Sequence, residues 1–116
     1  MGDRAMAKVK TTKGSLFIYT HWSGFDLPKT AKEAVKLARP RWDDEPYATH
    51  IIVDQLTKEG RDQETGIGIM LDDYAEDGYN HDKPSVIIDI PNQTITIVGH
   101  EEHDGIRTFV EVMEGL

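Results

Sequence analysis

The sequence predicts an α+β domain in which helices pack on one face of a mainly antiparallel sheet of about five strands. Two pairs of strand-like segments meet at short turns, which is typical of β-hairpins. Between them, two stretches repeat apolar residues every three to four positions, which is typical of amphipathic helices. The predicted order is β-β-α-α-β-β-β-α. Because no linker divides the 116 residues, we predict a single domain over residues 1–116.

The first hairpin is predicted from strands over residues 8–12 and 15–21, joined by a turn at Lys13 and Gly14. Both faces of the second strand are largely apolar, so we expect it to lie inside the sheet. We expect residues 1–7 to be a disordered tail or a remnant of an expression vector.

The first helix is predicted to begin at an N-cap, Asp26, and to end at Pro40. One face is apolar and is formed by Leu27, Ala31, Ala34, Val35 and Ala38. The opposite face is a basic stripe formed by Lys29, Lys32, Lys36 and Arg39. Such a stripe can contact phosphate, although the net acidity of the whole chain argues against nucleic acid as a partner.

The second helix is predicted within residues 41–60, with Asp43 or Asp44 as its N-cap and Glu45 in its first turn. Lys58 and Gly60 mark its end. Its predicted buried stripe consists of Tyr47, Ala48, Ile51, Ile52, Gln55 and Leu56.

The last part of the chain is predicted to hold three strands and a helix. A short strand covers residues 65–71, a polar loop follows it, and a hairpin over residues 85–99 turns at Pro91 and Asn92. Residues 103–116 are predicted to form the final helix, since apolar residues recur there at helical spacing. Those residues are Ile106, Phe109, Val110, Met113 and Leu116.

Composition excludes several classes of protein. The chain has no cysteine, so disulfides, thiol nucleophiles and Cys-ligated zinc are ruled out. No apolar run reaches the roughly 20 residues of a membrane span, and the first ten residues lack the apolar core of a signal peptide. We therefore expect a cytoplasmic protein that does not enter a membrane.

Charge is distributed unevenly along the chain, whose net charge is −8. Residues 1–41 hold nine Lys and Arg against three Asp and Glu, whereas residues 42–116 hold four against eighteen. This asymmetry indicates either a charged partner or a fold in which the two halves interleave and the charges are simply solvated.

The candidate catalytic residues are His21, His50 and Asp54. His21 and Trp22 lie where a predicted strand runs into a turn, which is a common place for a site. His50 and Asp54 are four residues apart on a predicted helix, so imidazole and carboxylate lie side by side and could form a metal pair or an oriented base. The competing interpretation is structural: Trp22 covers the edge of the sheet, and His50 and Asp54 form a surface hydrogen bond.

The binding candidates are Trp22, Trp42 and Tyr47, because aromatic residues contribute large contact surfaces. No cofactor and no metal site is predicted. In the acidic loop, aligning Gly78 with the glycine of an EF-hand places Ala75 and Pro84 at ligand positions, so that calcium motif is not satisfied. The chain also lacks nucleotide-binding and hydrolase motifs.

The segments LFIYTHWSG, RPRWDDEPYATHIIVDQL and ETGIGI together resemble a group of small proteins found in bacteria and in mobile DNA such as phages or integron cassettes. The resemblance covers residues 15–98. It implies no catalytic residue, because the group has no established activity. It favours an accessory role in host defence, counter-defence or regulation.

Taken together, the sequence predicts a small accessory or regulatory module that binds a protein partner through an acidic surface. Self-association as a homodimer is a second form of partner, because the exposed edges of a small sheet pair easily. The alternative is a small hydrolase or metal-dependent enzyme that uses His21, His50 and Asp54.

Overall fold

The computed structural model describes residues 5–20, 26–60, 62, 64–71 and 84–115. These ranges contain six strands: β1 (Ala5–Thr11), β2 (Gly14–Thr20), β3 (Ile67–Leu71), β4 (Val86–Asp89), β5 (Thr94–Ile97) and β6 (Gly105–Thr108). They also contain three α-helices: α1 (Leu27–Leu37), α2 (Glu45–Thr57) and α3 (Phe109–Met113). Single 3-10 turns follow α1 and α2 and precede β6. None of the described helices has the length and apolar character needed to cross a bilayer.

The strands form one mixed sheet in the order β3-β2-β1-β4-β5-β6. It consists of two antiparallel three-stranded units, β3-β2-β1 and β4-β5-β6, joined by the parallel pairing of β1 with β4. In that pairing Ala7 lies opposite Val86 and Val9 opposite Ile88. The predicted α+β class is confirmed. The sheet nevertheless has one strand more than expected among the described residues, and it is partly parallel. The basic and acidic halves of the chain thus share one sheet.

All three helices pack on one face of this sheet. The predicted apolar face of α1 is confirmed, because each of its five residues is buried. The strands contribute the side chains of one parity to the same cluster, as the antiparallel and parallel registers require. Those strand residues are Ala5, Ala7, Val9, Ile18, Val86, Ile88, Ile95 and Ile97.

α2 confirms part of its predicted stripe. Ala48, Ile52 and Leu56, which are spaced four residues apart, are buried. Tyr47 was expected in that stripe, and this expectation is wrong: its side chain is 58% exposed. Successive helix residues are rotated by about 100°, so the residue just before Ala48 lies at the flank of the buried face rather than on it.

The expected tail over residues 1–7 is wrong for its last three residues. Ala5, Met6 and Ala7 are buried in β1. Ala7 lies between Ile18 of β2 and Val86 of β4, at the centre of the sheet. Small alanine side chains carry little hydrophobic signal, so the sequence pattern did not reveal this half of the strand.

The predicted final helix is also wrong over its first part. Gly105–Thr108 is the edge strand β6, paired with β5, and Ile106 is 73% exposed rather than buried. α3 begins only after Thr108. The Thr108 hydroxyl accepts from the Glu111 backbone N–H, while the Glu111 carboxylate accepts from the Thr108 backbone N–H. This capping box fixes the helix start and separates it from the strand.

Candidate functional site

The described surface is most unusual at β3, one edge of the sheet. β3 pairs with β2 on one side, and no described strand pairs with its other side. Its large apolar side chains are exposed: Ile69 by 49%, Met70 by 37% and Leu71 by 70%. The edge therefore combines a backbone side that pairs with no described strand and apolar side chains that are exposed.

The register explains why these side chains are exposed. Ile69 lies opposite Ile18 and Leu71 opposite Leu16, so both stand on the face that carries the helices. The helices bury Ile18, which is 2% exposed, but they do not extend over its neighbour Ile69. Only Ile67, at the start of β3, packs against the core. The apolar face of the sheet thus extends one strand beyond its helical cover.

β3 itself carries no charge, whereas the chain on either side of it is acidic. Asp62 and Glu64 precede the strand and are exposed. In the sequence, Asp72 and Asp73 follow Leu71 directly. The sequence predicts this strand but not its position at the edge of the sheet. A run of seven uncharged residues, 65–71, between two acidic pairs is the signal that could have indicated it.

Trp42, a predicted binding residue, is held mainly by the interior. Its indole N–H donates to the Val35 carbonyl at 2.9 Å, and its ring centroid lies 5.2 Å from that of Phe109. It joins the end of α1 to α3. These contacts give Trp42 a structural role, and contact with a partner through its partly exposed side stays a prediction.

Tyr47, the second described binding candidate, lies on the outer surface of α2. The Arg41 guanidinium carbon is 5.1 Å from the centroid of its ring, within the range of a cation–π contact. Arg41 also lies 3.9 Å from Asp44, an exposed ion pair of small energetic value. Tyr47 is accessible to a partner, but its ring is already covered on one face.

Two of the three predicted catalytic residues, His50 and Asp54, lie one turn apart on α2. His50 is exposed and Asp54 is partly buried on α2. His21 lies outside the described residues, as does the binding candidate Trp22, and so does most of the predicted acidic loop, residues 72–83. No group of three or more described His, Cys, Asp or Glu side chains is placed to hold a metal ion. The enzymatic alternative stays a prediction.

One small cavity lies between β2, α1, α2 and β3. Its volume of about 20 Å³ is enough for a single water molecule. Its walls are mainly apolar, with hydroxyl and amide groups from Thr20, Thr30 and Gln55. The residues that line it are Ile18, Thr20, Leu27, Thr30, Gln55, Leu56 and Ile67.

Comparison with known proteins leaves the function to be argued from the chain itself. No protein-family model, no curated protein and no solved structure matches the sequence or the fold. The resemblance to proteins of mobile DNA stays a prediction. The β3 edge, which consists of β3 with the acidic residues Asp62 and Glu64 before it, is the strongest candidate functional site.

Proposed function

We propose that this protein is a small accessory module that binds a protein partner by accepting a strand of that partner at the β3 edge. The observation that carries the proposal is the exposure of Ile69, Met70 and Leu71 on an edge strand. In strand addition, main-chain hydrogen bonds supply affinity and alternate side chains supply specificity. Exposed edge strands otherwise favour aggregation, so natural proteins protect them unless they are used.

The charge around β3 defines the chemistry of the partner. The acidic residues Asp62 and Glu64 flank an uncharged strand. A partner strand with an apolar centre and Lys or Arg at its ends matches both features, because it buries the apolar side chains and pairs with the carboxylates. The predicted acidic binding surface would then be the acidic flank of the β3 edge.

A second copy of this chain fits the same edge less well. Antiparallel pairing of two β3 strands would bring the acidic flank that precedes one strand towards the acidic flank that follows the other. Like charges brought opposite each other destabilise strand pairing. We therefore assign the edge to a different, basic partner.

Affinity for synthetic strands provides the test. The probe is a peptide with an alternating Val/Thr core and two Lys residues at each end, and the comparison peptide replaces those Lys residues with Glu. Binding is measured by isothermal titration calorimetry at low and high NaCl. We expect the Lys peptide to bind more tightly than the Glu peptide, and its affinity to fall as NaCl rises.

Two matched variants locate the binding site. Leu71 in β3 and Ile106 in β6 are 70% and 73% exposed, so Leu71→Lys and Ile106→Lys make the same change at opposite edges. We expect Leu71→Lys to lose at least about tenfold in affinity, equivalent to about 1.4 kcal/mol, and Ile106→Lys to bind like the wild type. Equal effects of the two substitutions, or no peptide binding, would contradict the proposal. A wild-type dimer that competes with the peptide would assign the edge to a second copy instead.

The biological setting is part of the same proposal. We propose a cytoplasmic accessory or regulatory role of the kind found in mobile DNA. The support is the resemblance stated from the sequence and the absence of cysteine. If a basic protein that binds the β3 edge is identified, the process in which that protein acts would define the role.

A further inference from the structure

A second feature, far from β3 in the sheet order, concerns the basic stripe of α1. Lys32 faces the chain that leads into β6, and its ammonium nitrogen lies 3.2 Å from Nδ1 of His103. Arg107, on β6, donates from Nη1 to the His103 carbonyl oxygen at 2.6 Å. An ammonium and a guanidinium thus converge on one residue, and Lys36 lies close enough to act electrostatically on Lys32.

The contact between Lys32 and His103 uses the Nδ1 atom of the imidazole. A lysine ammonium only donates, so Nδ1 is the acceptor in this contact. Arg107 has five N–H donors, of which the described contacts use one.

The positive charges in this cluster have no ion-pair partner among the described residues, although Glu102 and Asp104 lie in the same segment as His103. No described carboxylate lies within the 4.0 Å ion-pair distance of Lys32, Lys36 or Arg107, although Glu102 is near enough to favour the charged lysine. Burial lowers the pKa of Lys32, and the nearby Arg107 and Lys36 lower it further, while Glu102 opposes them. A protein with a net charge of −8 has therefore gathered three cations at one place.

We propose that Lys32, Lys36, His103 and Arg107 form a binding site for a phosphate group. A dianionic phosphate would relieve the mutual repulsion of the three cations, and its oxygens would accept from the Lys32 ammonium and the remaining N–H groups of Arg107. His103 contacts Lys32 through Nδ1 and Arg107 through its carbonyl oxygen, and so positions both cations. The guanidinium fork matches phosphate geometry, and ammonium groups bind phosphate as point charges. Inorganic phosphate and a small phosphate ester share this chemistry.

This site is independent of strand addition at the β3 edge, because β3 and β6 are the two opposite edges of the sheet. Failure of one proposal leaves the other standing. The site also extends the basic stripe beyond the sequence pattern, since Arg107 and His103 come from a segment that was predicted to be helical.

Thermal unfolding and calorimetric titration of the full chain test the proposal. The probes are inorganic phosphate, glycerol 2-phosphate and, as the reference, chloride at matched ionic strength and pH 7. We expect phosphate or its ester to raise the melting temperature above the chloride value, because a ligand of the native state stabilises it by mass action. Tighter binding of glycerol 2-phosphate would indicate a phosphate ester as the ligand, and tighter binding of inorganic phosphate would indicate the free ion.

A matched pair of double variants separates a built site from general attraction to basic residues. Lys32→Gln with Arg107→Gln removes two cluster cations, whereas Lys29→Gln with Arg39→Gln removes two exposed cations of the same stripe outside the cluster. We expect at least a tenfold loss of phosphate affinity in the first and less than a twofold change in the second.

The single variant Lys36→Gln, at an exposed position, repeats the test if the first double variant fails to fold. We expect it to weaken phosphate binding about threefold or more. Equal behaviour of phosphate and chloride in the wild type would overturn the proposal. Equal losses in the two double variants would overturn it as well.

Discussion

The two edge strands of the sheet, β3 and β6, differ in how far they are protected from pairing with another chain. β3 has five residues without a charge, four of which are exposed, and the apolar face that it shares with β2 extends past the helices. β6 has four residues, carries Arg107 on the helix-bearing face and runs directly into α3. Short length, inward-facing charge and an adjoining helix are established ways of protecting a sheet edge. β6 is therefore protected by its own residues, whereas β3 has no such protection among the described residues.

The protection of β6 depends on how α3 is anchored. Phe109, at the start of α3, is fully buried, packs against Trp42 and donates its backbone N–H to the Gln93 carbonyl at 2.8 Å. We expect Phe109→Ala to lower the free energy of unfolding by about 3–5 kcal/mol, because it leaves a cavity between α3 and the core. Urea denaturation measures the loss, and hydrogen exchange shows whether the β6 amides become as unprotected as those of β3.

Val110 provides the control for this experiment, because it lies on the same short helix and is 56% exposed. We expect Val110→Ala to change the free energy of unfolding by less than about 0.5 kcal/mol. A similar loss in both variants would mean that α3 contributes through its helical structure alone rather than through the Phe109 anchor.

The open edge should self-pair once its acidic flank is reversed. We expect Asp62→Lys with Glu64→Lys to promote antiparallel pairing of two β3 strands, because the new lysines would face acidic residues of the other chain. The expected gain in dimer affinity is at least about tenfold, or about 1.4 kcal/mol. Sedimentation velocity over a range of protein concentrations measures it.

Glu33→Lys with Glu114→Lys is the control, because both residues are exposed, lie outside the β3 edge and give the same change in net charge. This variant should sediment like the wild type. Dimerisation of the control would attribute the effect to the reduced net charge of the protein instead of to the flank of β3.

The capping box at Thr108 is a smaller part of the protection of β6. We expect Thr108→Ala to lower the free energy of unfolding by about 1 kcal/mol, because the Glu111 backbone N–H, 3.1 Å from the Thr108 hydroxyl, loses its acceptor. Thr108→Ser keeps a hydroxyl and should retain most of the stability. Chemical denaturation of the two variants measures both free energies of unfolding. Equal losses of stability in the two variants would argue against a stabilising role of the cap.

The smallest expected effect concerns Asp89 on β4 and its ion pair with Lys10 on β1. Burial raises the pKa of Asp89, but hydrogen bonds from the side chain and backbone of Asn92, together with the Lys10 ammonium at 3.6 Å, lower it below its usual value overall. A lowered pKa in the folded state means that the Asp89 carboxylate stabilises the protein above its unfolded pKa. That contribution is lost as the pH falls through the folded pKa.

We expect Asp89→Asn to be less stable than the wild type by at most about 1 kcal/mol at pH 7. The gap should close at an acidic pH below the lowered folded-state pKa of Asp89, where the wild-type carboxyl group is protonated. Urea denaturation at the two pH values tests both the size and the sign. A gap that does not change with pH would show that the charge of Asp89 is irrelevant.

Local patterns predicted much of the fold. The α1 stripe, the buried faces of both hairpins and the Asp44 N-cap position of α2 all follow from periodicity and capping, which act over a few residues. The last segment failed because Ile106, Phe109 and Val110 have helical spacing, yet Ile106 pairs with Thr96 in the sheet. The Thr108 and Glu111 capping box was visible in the sequence and marks the true start of the helix.

The rest depends on contacts that no local pattern contains. The exposure of β3 follows from its position at the edge, which depends on its pairing with β2 across two intervening helices. The phosphate cluster likewise needs α1 to meet the segment before β6, bringing together Lys32 and His103. The sequence identified the strand and the basic stripe but could not identify their neighbours.

The parallel pairing of β1 with β4 has a consequence for how the chain reaches its native state. β1, one of the two central strands, is formed by the first described residues. One of its two partners, β4, is synthesised only after both long helices and β3. Contacts of such long sequence separation slow folding. A nascent chain that ends before Val86 would therefore contain β1, β2 and β3 but lack β4, the other neighbour of β1. We expect the sheet to be completed only after most of the polypeptide has left the ribosome.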